Sequence, residues 1–195
     1  YAIPGVVGVS PLPDYELALD ETVPWIGAAD VQAMGYDGTG ITVAVLDSGI
    51  DYTHAHLGGS GLQADTDQAL AEASQPADPR LYPTAKVIGG YDFVGSSWPN
   101  TAEIPDPNPM DDEGGGTDGH GTHVASIIGG VAVPADNMGP GVAPGVEFYA
   151  LKVCSSVSTS CSGLAMMESY EWAADPNGDL NFDDRADVIN MSLGS

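Results

Sequence analysis

Positive charge is nearly absent from this sequence: four Lys and Arg stand against 28 Asp and Glu, a formal net charge of −24. Such a field repels phosphate backbones and anionic membrane surfaces, so nucleic acid is not an expected partner. No apolar run approaches the roughly 20 residues of a membrane span, and a membrane partner is not expected either. The start, Tyr1-Ala2-Ile3-Pro4, lacks the basic residues of a signal peptide, so an exported form has already lost its signal. There are no internal repeats and no heptads. Disorder is excluded by the other side of the composition, since 43% of the 195 residues are hydrophobic, enough for one domain with a real core. The acidic excess suits cations, and it equally suits a surface kept soluble in salty or extracellular surroundings; charge alone does not choose.

Glycine and proline are plentiful, 26 and 15 residues, which points to many turns between short buried elements. The two cysteines, Cys154 and Cys161, enclose Ser-Ser-Val-Ser-Thr-Ser, and a disulfide fits so polar a loop. Two free buried thiols suit that polarity less well, and a metal pair would need more ligands nearby.

Residues 41–46, Ile-Thr-Val-Ala-Val-Leu, are β-branched and apolar on both faces, the pattern of a central parallel strand. Residues 57–83 read as a surface excursion with a short helix over 67–73. A strand returns at 86–94, and 98–119 is a proline, aspartate and glycine loop. Then His120, Val124, Ile127, Ile128 and Val131 repeat at helical spacing, while Gly121, Ala125 and Gly129 form a stripe that permits close approach to a neighbour. Thr117 or Asp118 is the expected N-cap. A strand over 146–153, a helix over 162–174 with Met166, Met167, Tyr170, Ala173 and Ala174 inward, and a strand over 187–193 complete the order. Strand, helix, strand, helix, strand predicts a doubly wound parallel α/β sheet with ligands at the strands' carboxyl ends, where Asp47 lies.

Asp47-Ser48-Gly49-Ile50-Asp51, then His120-Gly121-Thr122-His123-Val124-Ala125, then Asp187-Val188-Ile189-Asn190-Met191-Ser192-Leu193-Gly194, taken in this order, resemble the subtilisin family of serine proteases, the subtilases. The resemblance implies a subtilisin-like fold, incomplete here, and polypeptide substrates. It makes Asp47 the buried carboxylate and His120 the base of an Asp-His-Ser triad. The chemistry needs those types: a serine hydroxyl requires a base near neutral pH, and a carboxylate on the far nitrogen fixes the imidazole tautomer. Ser192, Leu193 and Gly194 are implied to line the substrate cleft, where an extended peptide can add as a strand. A zinc site using His120, His123 and His54 or His56 lacks the glutamate and the i, i+4 spacing of zinc proteases, so no zinc is expected. His123 is read as packed and hydrogen-bonded, His54 and His56 as surface or supporting groups.

No Gly-Thr-Ser-Met-Ala or similar nucleophile segment occurs. Two of three triad members are therefore expected here, with the serine beyond this chain and the fragment alone inactive. Residues 3–11 resemble the last strand of an inhibitory subtilase propeptide. The implied division is a propeptide tail at 1–13, a processing linker at 14–25 and the amino-terminal half of the catalytic domain at 26–195, in a secreted, extracellular zymogen whose own propeptide is a partner. A competing reading is a non-catalytic pseudoprotease or calcium-dependent extracellular binding module.

Asp175, Asn177, Asp179 and Asn181 place oxygen donors at alternate positions, with Asp184 or Asp187 able to close the shell, so a structural calcium is expected there. The run departs from an EF-hand loop at Leu180 and Ala186, and a solvated acidic turn is the alternative. The acidic stretch 106–118 is read as a solvated loop near the cleft.

Overall fold

The computed structural model describes residues 19–112 and 119–194. Residues 1–18 lie outside it, and with them the whole segment read as a propeptide tail. Among the described residues two short helices come first, α1 (Leu19–Trp25) and α2 (Ala28–Ala33), so part of the stretch read as a linker is helical, with Val23 buried.

Four parallel strands follow: β1 (Thr42–Asp47), β2 (Val87–Asp92), β3 (Glu147–Lys152) and β4 (Val188–Asn190). Their order in the sheet is β2-β3-β1-β4. The interposed helices are α3 (Gln63–Ala71), α4 (His120–Gly129) and α5 (Gly163–Ala174). Sequence and structure agree on this doubly wound architecture. The last strand is shorter than its apolar run, because only Val188, Ile189 and Asn190 pair with β1.

Side chains alternate across a strand, so each strand feeds two cores. Val43 and Val45 of β1, with Phe148 and Ala150 of β3, pack under Ala125, Val124 and Ile128 of α4. Ala44, Leu46, Tyr149 and Leu151 face the other way, against Ala165 and Ala173 of α5. The next residues on the α4 side, Asp47 and Lys152, sit opposite one another in the register, and Asp92 sits opposite Lys152. Polar groups thus begin where the apolar alternation ends, at the carboxyl edge of the sheet.

Helix α4 approaches β1 as its small-residue stripe requires: Gly121, Ala125 and Gly129 are buried. A Cβ on Gly121 would lie 2.1 Å from the Gly49 carbonyl oxygen. The residue before the helix is Gly119 at φ 70°, which has no side chain to cap with, and Thr117 and Asp118, read as the cap, lie outside the described residues. In α5 the buried face is Ala165, Ser169 and Ala173, whereas Met167 and Tyr170 are exposed. Small residues at i, i+4 and i+8 let this helix lie close on the sheet and turn its larger side chains outward. Ser162 caps it, accepting from the Ala165 amide at 3.2 Å.

The disulfide Cys154–Cys161 closes a small hairpin directly after β3, supported by Ser155 N–H to Ser160 O at 2.9 Å and Ser162 N–H to Val153 O at 2.9 Å. A closure of this length stabilises by on the order of 2–3 kcal/mol in the chain-entropy account.

Candidate active site

Asp47 ends β1 and His120 opens α4, so both stand on rigid elements at the carboxyl edge of the sheet. His120 Nδ1 lies 2.7 Å from Asp47 Oδ1. The Asp47 side chain is 2% exposed and that of His120 47%. An ionised carboxylate only accepts, so Nδ1–H donates and the neutral ring keeps its lone pair on Nε2. Asp47 Oδ1 also accepts from the Ser48 amide at 2.8 Å, while Oδ2 is buried with no partner among the described residues. The Asp47 carbonyl takes the Val153 and Cys154 amides at 2.8 and 3.1 Å, which ties the disulfide hairpin to the same corner.

Ser192, Leu193 and Gly194 follow β4 at this edge, in the direction that carries β1 to Asp47. Leu193 packs into the α5-side core, and the Asn190 side-chain amide donates to Ser192 Oγ at 3.0 Å. Among the described residues β4 pairs only with β1, so its other edge is open.

The remaining histidines are distributed differently from expectation. His56 is fully buried, not a surface group, and its Nε2 donates to the Gly139 carbonyl at 2.8 Å, with burial lowering its pKa. His123 is exposed rather than packed. Helical geometry turns position 123 away from the sheet when Gly121 and Ala125 face it.

Sequence reasoning missed Ser48, Asp111 and Thr122. The acidic stretch read as solvated is buried from 108 to 112; residues 113–118 lie outside the described structure. Asp111 Oδ2 accepts from the Thr122 amide at 3.0 Å and from its hydroxyl at 2.5 Å, and Oδ1 accepts from Gly119 N–H at 3.3 Å. Its pKa is pushed up by burial, against the hydrogen bonds from Thr122 and Ser48. Next to it, Asp112 forms a buried ion pair with Lys152 and accepts from the Ser156 hydroxyl. The available signal was Asn108-Pro109-Met110, an uncharged segment with a large apolar residue inside the acidic run.

In the loop after α5, Asp175 accepts from the Asp179 and Leu180 amides at 3.2 and 2.9 Å, Asn177 from Asp179 N–H at 2.9 Å and Asp179 from Asn181 N–H at 2.8 Å. The loop therefore curls on its own amides, with Gly178 and Leu180 at positive φ. Its oxygen donors have the hardness calcium prefers. Among the described residues, however, no three His, Cys, Asp or Glu side chains converge as a metal shell.

A family model described as the subtilase family matches residues 38–195. Subtilisin DY of Bacillus licheniformis is 36% identical over 172 residues, covering 88% of this chain and 43% of its own length. Alkaline elastase YaB of Bacillus sp. (strain YaB) is 34% identical over 188 residues, 93% of this chain and 35% of its own. Minor extracellular protease Vpr of Bacillus subtilis (strain 168) is 29% identical over 179 residues, 91% of this chain and 17% of its own. The chain thus spans less than half the length of each of these relatives.

Proposed function

This chain belongs to the subtilase family, and from that premise we propose that it carries the aspartate and histidine of a serine endopeptidase whose nucleophilic serine lies outside these 195 residues. The observation that carries the reading is the 2.7 Å contact between His120 Nδ1 and Asp47 Oδ1, with the other ring nitrogen on a half-exposed side chain. In the reaction, His120 Nε2 takes the serine proton as the hydroxyl attacks a peptide carbonyl and then returns it to the leaving amine. Asp47 holds the ring orientation and stabilises the imidazolium. The open edge through Ser192, Leu193 and Gly194 receives the substrate as an added strand, with affinity drawn from main-chain hydrogen bonds. Polypeptides are the substrates, and the isolated fragment hydrolyses none.

An extracellular setting belongs to the same reading, supported by the Cys154–Cys161 disulfide and by a relative named as an extracellular protease. No helix among the described residues is long and apolar enough to cross a membrane. The segment 1–13 is proposed as the tail of an inhibitory propeptide that leaves on maturation. A structural calcium at Asp175, Asn177, Asp179, Asn181 and Asp184 is proposed on donor chemistry; binding draws the carboxylates closer together than they stand here.

The test is expression of the whole protein from its gene. Peptide hydrolysis and labelling by a fluorophosphonate are expected, with kcat falling about 10⁴-fold in Asp47→Asn and labelling lost in His120→Ala. The same protein is expected to take up calcium in a calorimetric titration. A folded whole protein that neither cleaves nor labels is a pseudoprotease or binding module, and the enzymatic reading is then wrong.

A further inference from the structure

We infer that Asp111 is a positioning residue for the His120–Asp47 pair, a buried carboxylate that clamps the first turn of α4 onto the end of β1. The inference rests on the proposed function for its catalytic consequence, though its geometry is independent of it. The residue before helix α4 is Gly119, and among the described residues no local side chain caps the first turn. The open amides of a first turn need acceptors. Asp111, brought in from a separate loop, supplies them at Gly119 and Thr122, on either side of His120, and also takes the Thr122 hydroxyl. It further accepts from the Ser48 hydroxyl, and Ser48 Oγ in turn accepts from Gly121 N–H at 2.9 Å. The residues adjoining Asp47 and His120 are therefore linked through one carboxylate.

The loop that carries Asp111 is itself held. Ile50 N–H donates to the Pro109 carbonyl at 3.0 Å, and Gly49, at φ 110°, leaves room for residues 109–111 where a Cβ would meet their backbone at 2.7–2.9 Å. On its other side Asp112 is locked to Lys152. Thr122 Oγ1, besides donating to Asp111, accepts from the Asp51 amide at 2.9 Å, closing the circuit back to the segment after β1. An asparagine at 111 keeps the volume but loses an acceptor, so it cannot satisfy the Thr122 amide and hydroxyl while also serving Gly119 and Ser48. The turn then relaxes and the imidazole moves relative to Asp47.

Asp111→Asn and Thr122→Ala in the whole protease test this. Three readouts are needed: kcat and KM on a peptide substrate, the downfield Nδ1–H proton resonance of His120, and thermal unfolding. A positioning role predicts kcat lowered about 10–100-fold in Asp111→Asn with KM within about twofold, measured where the variant is fully folded. The Nδ1–H resonance shifts or broadens, and Thr122→Ala moves both readouts in the same direction by less. Unchanged kcat and an unchanged resonance in the folded variants overturn the inference, as does a loss of activity that only follows the folded fraction. Should Asp111→Asn fail to fold, Thr122→Ala decides by the same criteria. A wild-type protein that cleaves nothing defeats the proposed reaction instead, and the resonance still decides whether Asp111 positions His120.

Discussion

Lys152 brings a single positive charge into a fully buried place at the carboxyl edge of the sheet, among Asp92, Asp106, Asp111 and Asp112. Its amine donates to Ser156 Oγ at 2.7 Å and to the Met110 carbonyl at 3.3 Å, and burial pulls its pKa down against the attraction of the aspartates. Asp92 shows the cost of burying a carboxylate there. Its Oδ1 accepts from the Val94 and Gly95 amides at 2.8 and 2.7 Å, but burial, opposed by Lys152, still pushes its pKa up to about 6. A carboxyl whose folded pKa is raised binds its proton more tightly in the native state. Its stabilisation is complete below the unfolded value near 3.8 and is lost as pH rises through about 6. Asp106 and Asp111 shift in the same direction, whereas Asp78, lowered to about 2, acts only below that window. Urea unfolding of the whole protein, in a His120→Ala background that precludes proteolysis, is expected to show these carboxyls favouring pH 4.5 over pH 7, opposed by His56, whose pKa burial lowers. Asp92→Asn should remove about 2 kcal/mol of that difference. An identical pH dependence in the variant contradicts the assignment.

At the scale of elements, what was legible was periodicity. The apolar runs of β1, β2 and β3 and the small-residue stripe of α4 announce their burial because packing demands those patterns. The inward face of α5 was misread for a related reason: Met167 and Tyr170 are apolar, yet the close contact with the sheet selects Ala165, Ser169 and Ala173. Asp47 and His120 were legible as a pair only through their motifs. Asp111 was not, since a carboxylate between prolines and glycines looks like a solvated turn until a helix start is seen to lie on it. These close contacts predict opposite outcomes for two glycines. A Cβ on Gly121 meets the Gly49 carbonyl oxygen at 2.1 Å, backbone that cannot yield without moving α4 off β1, and Asp47 Cβ at 3.0 Å. Gly121→Ala is expected to destabilise by about 2–3 kcal/mol. Gly163, the first residue of α5, has ordinary backbone and nothing within 4 Å of a Cβ among the described residues. Gly163→Ala is expected to stabilise by roughly 0.5 kcal/mol through helix propensity and the unfolded state. Denaturant midpoints of the two variants decide both; equal effects would mean that close packing is not what the α4 stripe is for.

In the 195-residue chain, two features oppose each other. The −24 charge keeps copies of the chain apart, while β4, which among the described residues pairs only with β1, bears Val188, Ile189 and Met191 at 49%, 43% and 38% exposure. Leu164 and Met167 of α5 are also exposed, at 56% and 67%. An open strand with apolar side chains is a template for pairing with another chain. The balance is set by ionic strength, because the screening length falls from about 30 Å at 0.01 M salt to about 3 Å at 1 M. The 195-residue chain is therefore expected to be monomeric in dilute buffer and to associate in 1 M sodium chloride. Ile189→Lys should suppress that association, because a lysine on the edge discourages pairing and adds no apolar area. Light scattering at the two salt concentrations measures it directly. Association at low salt that disappears at high salt would mean that charge contacts, rather than the β4 edge, bring the copies together, and an equal mass under both conditions would show that the edge does not pair.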